Sequence, residues 1–211
     1  MKGTLCRWHL LTTLAVLVTG LGLLVGCSDR VEQLPRLPAD GVILAFGDSI
    51  TFGTGAAVDE SYPAVLARLT GHRVVNAGVP GETTAVGLLR LPDLLARERP
   101  ALVILCHGGN DLLQRLDQKE TAANLRAMAR LIQDQGSSVL LVAVPAPDLS
   151  LTPPTFYREV AVEMRLPLED RVLPRILGKG SLKADYIHPN AAGYTRFAAA
   201  LAKQLKRSGA L

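Results

Sequence analysis

The chain has 211 residues, 48% of them hydrophobic and 20% charged, with no low-complexity tract. That length suits one domain able to bury a substantial core, and the balance excludes a disordered polypeptide. The formal net charge is +4, and without a basic patch interleaved with aromatics it gives a nucleic-acid partner no footing.

The first segment, MKGTLCRWHLLTTLAVLVTGLGLLVGC, has Lys2 and Arg7 ahead of an apolar run from Leu10 to Val25. A short apolar run behind positive charge is read as an export signal. Its ending, Leu24-Val25-Gly26-Cys27, resembles a bacterial lipobox, which makes Cys27 the expected lipidation site. A plain membrane anchor and an ordinary signal peptide are the other readings. The expected location is extracytoplasmic, held by lipid to a bacterial membrane and facing the periplasm or the cell exterior. Removing residues 1–27 takes away Lys2 and Arg7 and no acid, leaving +2. Cys6 would leave with the signal, and Cys106 stands alone in an apolar run as an expected small core residue.

Residues 28–40, polar and with two prolines, are read as a tether. From residue 41 to 211 a single domain is expected, in which short apolar runs alternate with helical periodicity. VILAF (42–46) is the first predicted strand. SYPAVLARLTG (61–71) comes next as a helix, with Ser61 as N-cap and Gly71 as its stop. RVVNA (73–77) is the second strand, and residues 83–99 form a helix that Pro92 should kink or break. ALVILC (101–106) is an unbroken apolar strand, as expected where both faces are covered. A helix over 119–136 precedes a buried strand over 138–144. A shorter helix within 152–166, a brief fifth strand near 166–168 and a last helix over 190–209 complete the pattern. Strands alternating with helices imply an α/β fold, a parallel sheet of about five strands with helices on both faces. Sites in such sheets form at the carboxyl ends of strands. There lie GDSITFG, GVPGETT and HGGND, all rich in glycine and small polar residues.

A serine hydroxyl attacks a carbonyl only if a base takes its proton, and the base must itself be oriented. Ser49 stands directly after the first strand. His9 leaves with the signal, His72 sits in a turn and is expected to be exposed, and His107 adjoins the third loop. His188 stands three residues after Asp185 in KADYIHPN. That spacing lets the carboxylate accept from one ring nitrogen while the other faces outward, though taken alone the pair is better read as a polar loop ahead of a helix. Gly81 can offer a backbone N–H, Asn110 an amide N–H, and Ser49 its own N–H, together an oxyanion hole. Asp48 is read as structural, Asp111 as the N-cap of the segment after it, and Glu82 as solvated. No cluster has metal-ligand spacing, so neither metal nor cofactor is expected.

Four ordered blocks now stand together: Gly47-Asp48-Ser49-Ile50, Gly81, Gly109-Asn110-Asp111 and Asp185-Tyr186-Ile187-His188-Pro189-Asn190. The chain resembles the SGNH hydrolases, also called GDSL esterases and lipases, over most of residues 42–206. VVNAGVPGETTAVGLLRLPDLL looks closest to the bacterial thioesterase, lysophospholipase and arylesterase branch. The resemblance implies a flavodoxin-like sandwich and a serine esterase acting on a small-molecule or lipid ester. It makes Ser49 the nucleophile, His188 the base and Asp185 its orienter, with Ser49, Gly81 and Asn110 as oxyanion donors. A monomer is expected. The alternatives are a carbohydrate O-deacetylase and a non-catalytic lipid- or glycan-binding lipoprotein. Cys106-His107 departs from the family pattern, and His107 either alters the local field or merely packs. No G-x-S-x-G elbow is present, which argues against an ordinary α/β-hydrolase.

Overall fold

Five short strands form one parallel sheet in the order β2-β1-β3-β4-β5. They are β1 (Ile43–Gly47), β2 (Val74–Gly78), β3 (Leu102–Cys106), β4 (Ser138–Val142) and β5 (Leu168–Glu169). The computed structural model describes residues 32–211; the segment read as an export signal, Cys27 and residues 28–31 lie outside them. β1 and β3 are buried at every position, as their unbroken apolar sequences require. Each fully buried Leu or Ile there contributes about 1.5–3 kcal/mol through removal from water. Leu44, in β1, pairs with Val75 on one side and Val103 on the other.

The helices are α1 (Ser49–Phe52), α2 (Tyr62–Thr70), α3 (Thr84–Glu98), α4 (Gly109–Leu113), α5 (Gln118–Asp134), α6 (Phe156–Met164), α7 (Val172–Leu177) and α8 (Ala191–Arg207). In α5 the Asp117 side chain accepts from Lys119 N, and Ala122, Leu125, Met128, Ala129 and Ile132 form the inward stripe. Asn190 caps α8 by accepting from Gly193 N at 3.0 Å. The buried face of α8 runs through Tyr194, Phe197, Leu201 and Leu205. α3 runs unbroken through Pro92; Pro92 is exposed, and burial of Leu91, Leu94 and Leu95 around it holds the helix. Ser61 precedes α2, but its hydroxyl donates back to Val58 O rather than capping α2. Gly71 closes α2 in the left-handed conformation.

The chain steps from β1 outward to β2, then back across β1 to β3 and on to β4 and β5. With right-handed crossovers, that reversal puts α2 on one face and α3, α5 and α6 on the other. α8 packs on α2, and α3 packs on α5. The flavodoxin-like sandwich expected from the sequence is what forms. Its switch point lies between β1 and β3, where a crevice opens at the strand ends. Leu34 N donates to Ser208 O at 2.7 Å and Leu37 N to Ala210 O at 2.9 Å, so this part of the chain lies along the end of α8. Among the described residues no helix is long and apolar enough to cross a membrane.

Candidate active site

Ser49 opens α1 immediately after β1, at the switch point. Gly47 is the last residue of β1, and only glycine fits there, because a Cβ would lie 2.0 Å from the Cys106 carbonyl oxygen of the adjoining strand. Asp48 is buried and its carboxylate accepts from Ile50 N at 3.0 Å, capping α1. Burial pushes the Asp48 carboxyl above its ordinary value, against the lowering pull of His107 and the Ile50 N–H. Ser49 is half-buried, and as the first helical residue its N–H has no partner inside α1.

Its hydroxyl lies 2.9 Å from His188 Nε2, and His188 Nδ1 lies 2.7 Å from Asp185 Oδ2. The other carboxylate oxygen, Oδ1, accepts from Ile187 N and His188 N, each at 2.8 Å. Asp185 thus builds the turn that carries its own histidine. Because a carboxylate only accepts, Nδ1 must carry the ring proton, leaving Nε2 to accept from Ser49. Burial raises the Asp185 carboxyl, but the hydrogen bonds from His188 and Ile187 outweigh it and hold the group below its ordinary 3.8. A carboxyl lowered on folding keeps its contribution above that value and loses it only as pH falls through the folded-state value. The turn is held from behind by Ala184 N donating to His188 O at 2.9 Å.

Asn110, second residue of α4, lines the same pocket as Ser49 and His188. One N–H of its amide is donated to Glu82 O at 3.0 Å, which fixes the amide plane. Gly81 does not line that pocket; it occupies an exposed turn in which Glu82 N donates to Val79 O at 3.2 Å. Its φ of +80° is what the third residue of a type II turn after Pro80 requires. The Asn110–Glu82 bond joins the two loops.

Three expectations are corrected. Glu82 is buried, not solvated, because Arg90 grips both of its oxygens and His107 touches one. Asp111 lies within α4 and caps α3 instead: Thr84 N donates to it at 2.9 Å and the Thr84 hydroxyl at 2.5 Å. His72 is half-buried, with its Nδ1 enclosed and unpartnered among the described residues. Cys106 is a buried free thiol, pushed well up by burial and so unsuited to be a nucleophile.

Beyond Ser49 the pocket is apolar, walled by Leu113, Val144, Pro145, Leu151, Leu177 and Ile187. Leu151, held at φ +49° with Asp148 Oδ1 accepting its N–H, carries no sequence signal because it sits in an irregular loop. Among the described residues no group of three or more His, Cys, Asp or Glu is placed to hold a metal ion. The arrangement can deprotonate a serine hydroxyl beside an apolar slot.

Residues 45–196 match the sequence profile of the GDSL-like lipase/acylhydrolase family. The chain belongs to that family. Esterase TesA of Pseudomonas aeruginosa is 34% identical over 191 residues, 82% of this chain and 92% of that protein. Thioesterase 1/protease 1/lysophospholipase L1 of Escherichia coli K12 is 28% identical over 208 residues, 95% of this chain and 93% of that protein. The crystal structure of TesA matches this fold with a TM-score of 0.71 at 32% identity, covering 79% of this chain and 99% of that one. The resemblance read from the four sequence blocks is borne out: this GDSL-family chain is a carboxylic ester hydrolase.

Proposed function

We propose that this esterase takes esters of aliphatic acids, with Ser49 as nucleophile, His188 as base and Asp185 as the orienting carboxylate. The observation that carries this reading is the hydrogen-bonded series Asp185–His188–Ser49 opening onto an apolar pocket. Ser49 Oγ bonds to the acyl carbon while its proton passes to His188 Nε2. The resulting oxyanion is met by the N–H groups of Ser49 and Asn110, which line the pocket, with Gly81 as the third donor that the family resemblance implies. Nε2 then gives its proton to the leaving oxygen or sulfur; water, giving a proton to the same nitrogen, bonds to the acyl carbon, and Nε2 returns that proton to Ser49 Oγ as the Oγ–acyl bond breaks and the acid leaves.

The names of the relatives, esterase, thioesterase and lysophospholipase, support an acyl group in the slot. Apart from Asp48, His188 and Tyr186 no ionisable side chain lines it, so chain methylenes replace water there. Each buried methylene contributes about 0.8 kcal/mol. For p-nitrophenyl esters, kcat/KM is expected to rise about tenfold or more from acetyl to hexanoyl, less than full burial would give because the slot is open. An enzyme that prefers acetyl would contradict the aliphatic reading and favour an O-deacetylase.

The basic start, apolar run and Cys27 support an exported, lipid-anchored protein. Cells expressing the full chain and fed an alkyne fatty acid should yield a labelled protein, and Cys27→Ala should lose the label. Equal labelling of both would overturn lipidation at Cys27.

A further inference from the structure

Beneath the oxyanion loops lies a charged cluster that the proposed mechanism does not use. Glu82 Oε1 accepts from Arg90 Nε at 2.6 Å, and Oε2 accepts from Arg90 Nη2 at 2.6 Å. Oε2 also lies 3.2 Å from His107 Nε2. Glu82 and His107 are 2% and 0% exposed at their side chains. Gly108 N donates to His107 Nδ1 at 3.2 Å, so the ring proton sits on Nε2 and points at the Glu82 carboxylate. Burial raises the Glu82 carboxyl, but the His107 and Arg90 hydrogen bonds outweigh it and hold the group below its ordinary value. The site is shaped to hold this imidazole, since a Cβ on Gly87 of α3 would come within 2.5 Å of His107 Nε2.

The cluster touches each loop that carries an oxyanion donor. Arg90 Nη2 donates to Gly47 O, at 3.4 Å, two residues before Ser49. The same nitrogen donates to Ala77 O, at 2.8 Å, in the strand that leads into the Gly81 turn. The guanidinium also lies 4.4 Å over the Phe46 ring. His107 stands three residues before Asn110, and its carbonyl is held by the Tyr157 hydroxyl at 2.8 Å. Glu82 is where the threads meet. Its side chain is gripped by the cluster, its neighbour is Gly81, and its own carbonyl takes one of the two amide N–H groups of Asn110.

We propose that Glu82, clamped by Arg90 and His107, is a positioning residue that sets the second Asn110 N–H toward the oxyanion through its own carbonyl. This rests on Asn110 being an oxyanion donor. A planar amide with one N–H fixed has the direction of the other fixed too. Letting the Glu82 carbonyl move swings the donor off line, and small misplacements at a reacting centre are costly. Glu82→Gln keeps the shape but turns an acceptor into a donor. With its NH₂ at the Oε1 position the amide opposes Arg90 Nε–H, and at the Oε2 position it opposes Arg90 Nη2–H and His107 Nε2–H, so neither orientation keeps the clamp, and His107 cannot switch tautomer without opposing Gly108 N–H.

The test is a double-mutant cycle on the purified enzyme with a p-nitrophenyl ester, read as kcat, KM and thermal midpoint. Glu82→Gln alone is expected to lower kcat about 10- to 100-fold with KM nearly unchanged, as a displaced oxyanion donor would. In an Asn110→Ala background, itself about 10²- to 10³-fold slower, the same change should cost less than about twofold because the group it aims is gone. Equal losses in both backgrounds, or a lower thermal midpoint with kcat intact, would overturn the positioning role. Full activity in Asn110→Ala would overturn the oxyanion assignment and this proposal with it. If Glu82→Gln does not fold, His107→Leu replaces it in the cycle, with the same outcomes. His107→Gln, which restores an N–H donor to Glu82, should recover most of the loss; no recovery would also count against the proposal.

Discussion

Ser49→Ala should abolish ester hydrolysis, with kcat falling on the order of 10⁴–10⁶-fold when a serine of this kind is removed. The Ser49 hydroxyl is half-buried, and its hydrogen bond to His188 joins two residues at loop ends rather than core elements. Its loss should therefore leave the thermal midpoint within about 2 °C, the scale of a surface substitution. Asp48 still caps α1 through Ile50 N, and the β1–β3 pairing is untouched. Turnover retained in a folded Ser49→Ala protein would remove Ser49 from the mechanism, whatever the family.

The second large effect is Asp185→Asn, expected to lower kcat on the order of 10⁴-fold. The turn itself sets the direction. Oδ1 accepts two backbone N–H groups, so the asparagine must keep its oxygen on that side. Its NH₂ then stands where Oδ2 was, 2.7 Å from His188 Nδ1, and forces that nitrogen to accept. The ring proton moves to Nε2, which can no longer take the proton of Ser49. The fold is kept and the base is turned into a donor. Measured kcat within about tenfold of the wild type would mean that His188 is oriented by something other than Asp185.

Much of this was legible in the sequence because it rests on contiguous signals. The apolar runs of β1, β3 and β4 reveal buried strands, and their order fixes the crossovers and the edge where loops gather. Ser49, Asn110 and His188 each sit in a short polar stretch directly behind or ahead of a periodic element, which is why each is visible on its own. The features that sequence reasoning misread depend on partners far along the chain. Glu82 looks solvated beside Gly81, yet Arg90 and His107 come from α3 and the end of β3. Asp111 looks like a cap for its own helix but reaches 27 residues back to Thr84. Leu151 gains its place in the pocket wall from an irregular loop with no period to read. α1, α4 and α7 are too short, at four to six residues, to show a helical pattern.

The central claim is that one serine becomes acylated, and a fluorophosphonate probe tests it most directly. The probe's phosphorus takes the place of the acyl carbon and stays on the nucleophile. Intact mass of the labelled wild-type protein should increase by a single phosphonyl group, and peptide mapping should put it on Ser49. Ser49→Ala should stay unmodified. An adduct on any other residue, or an active enzyme that takes up no probe, would contradict the account.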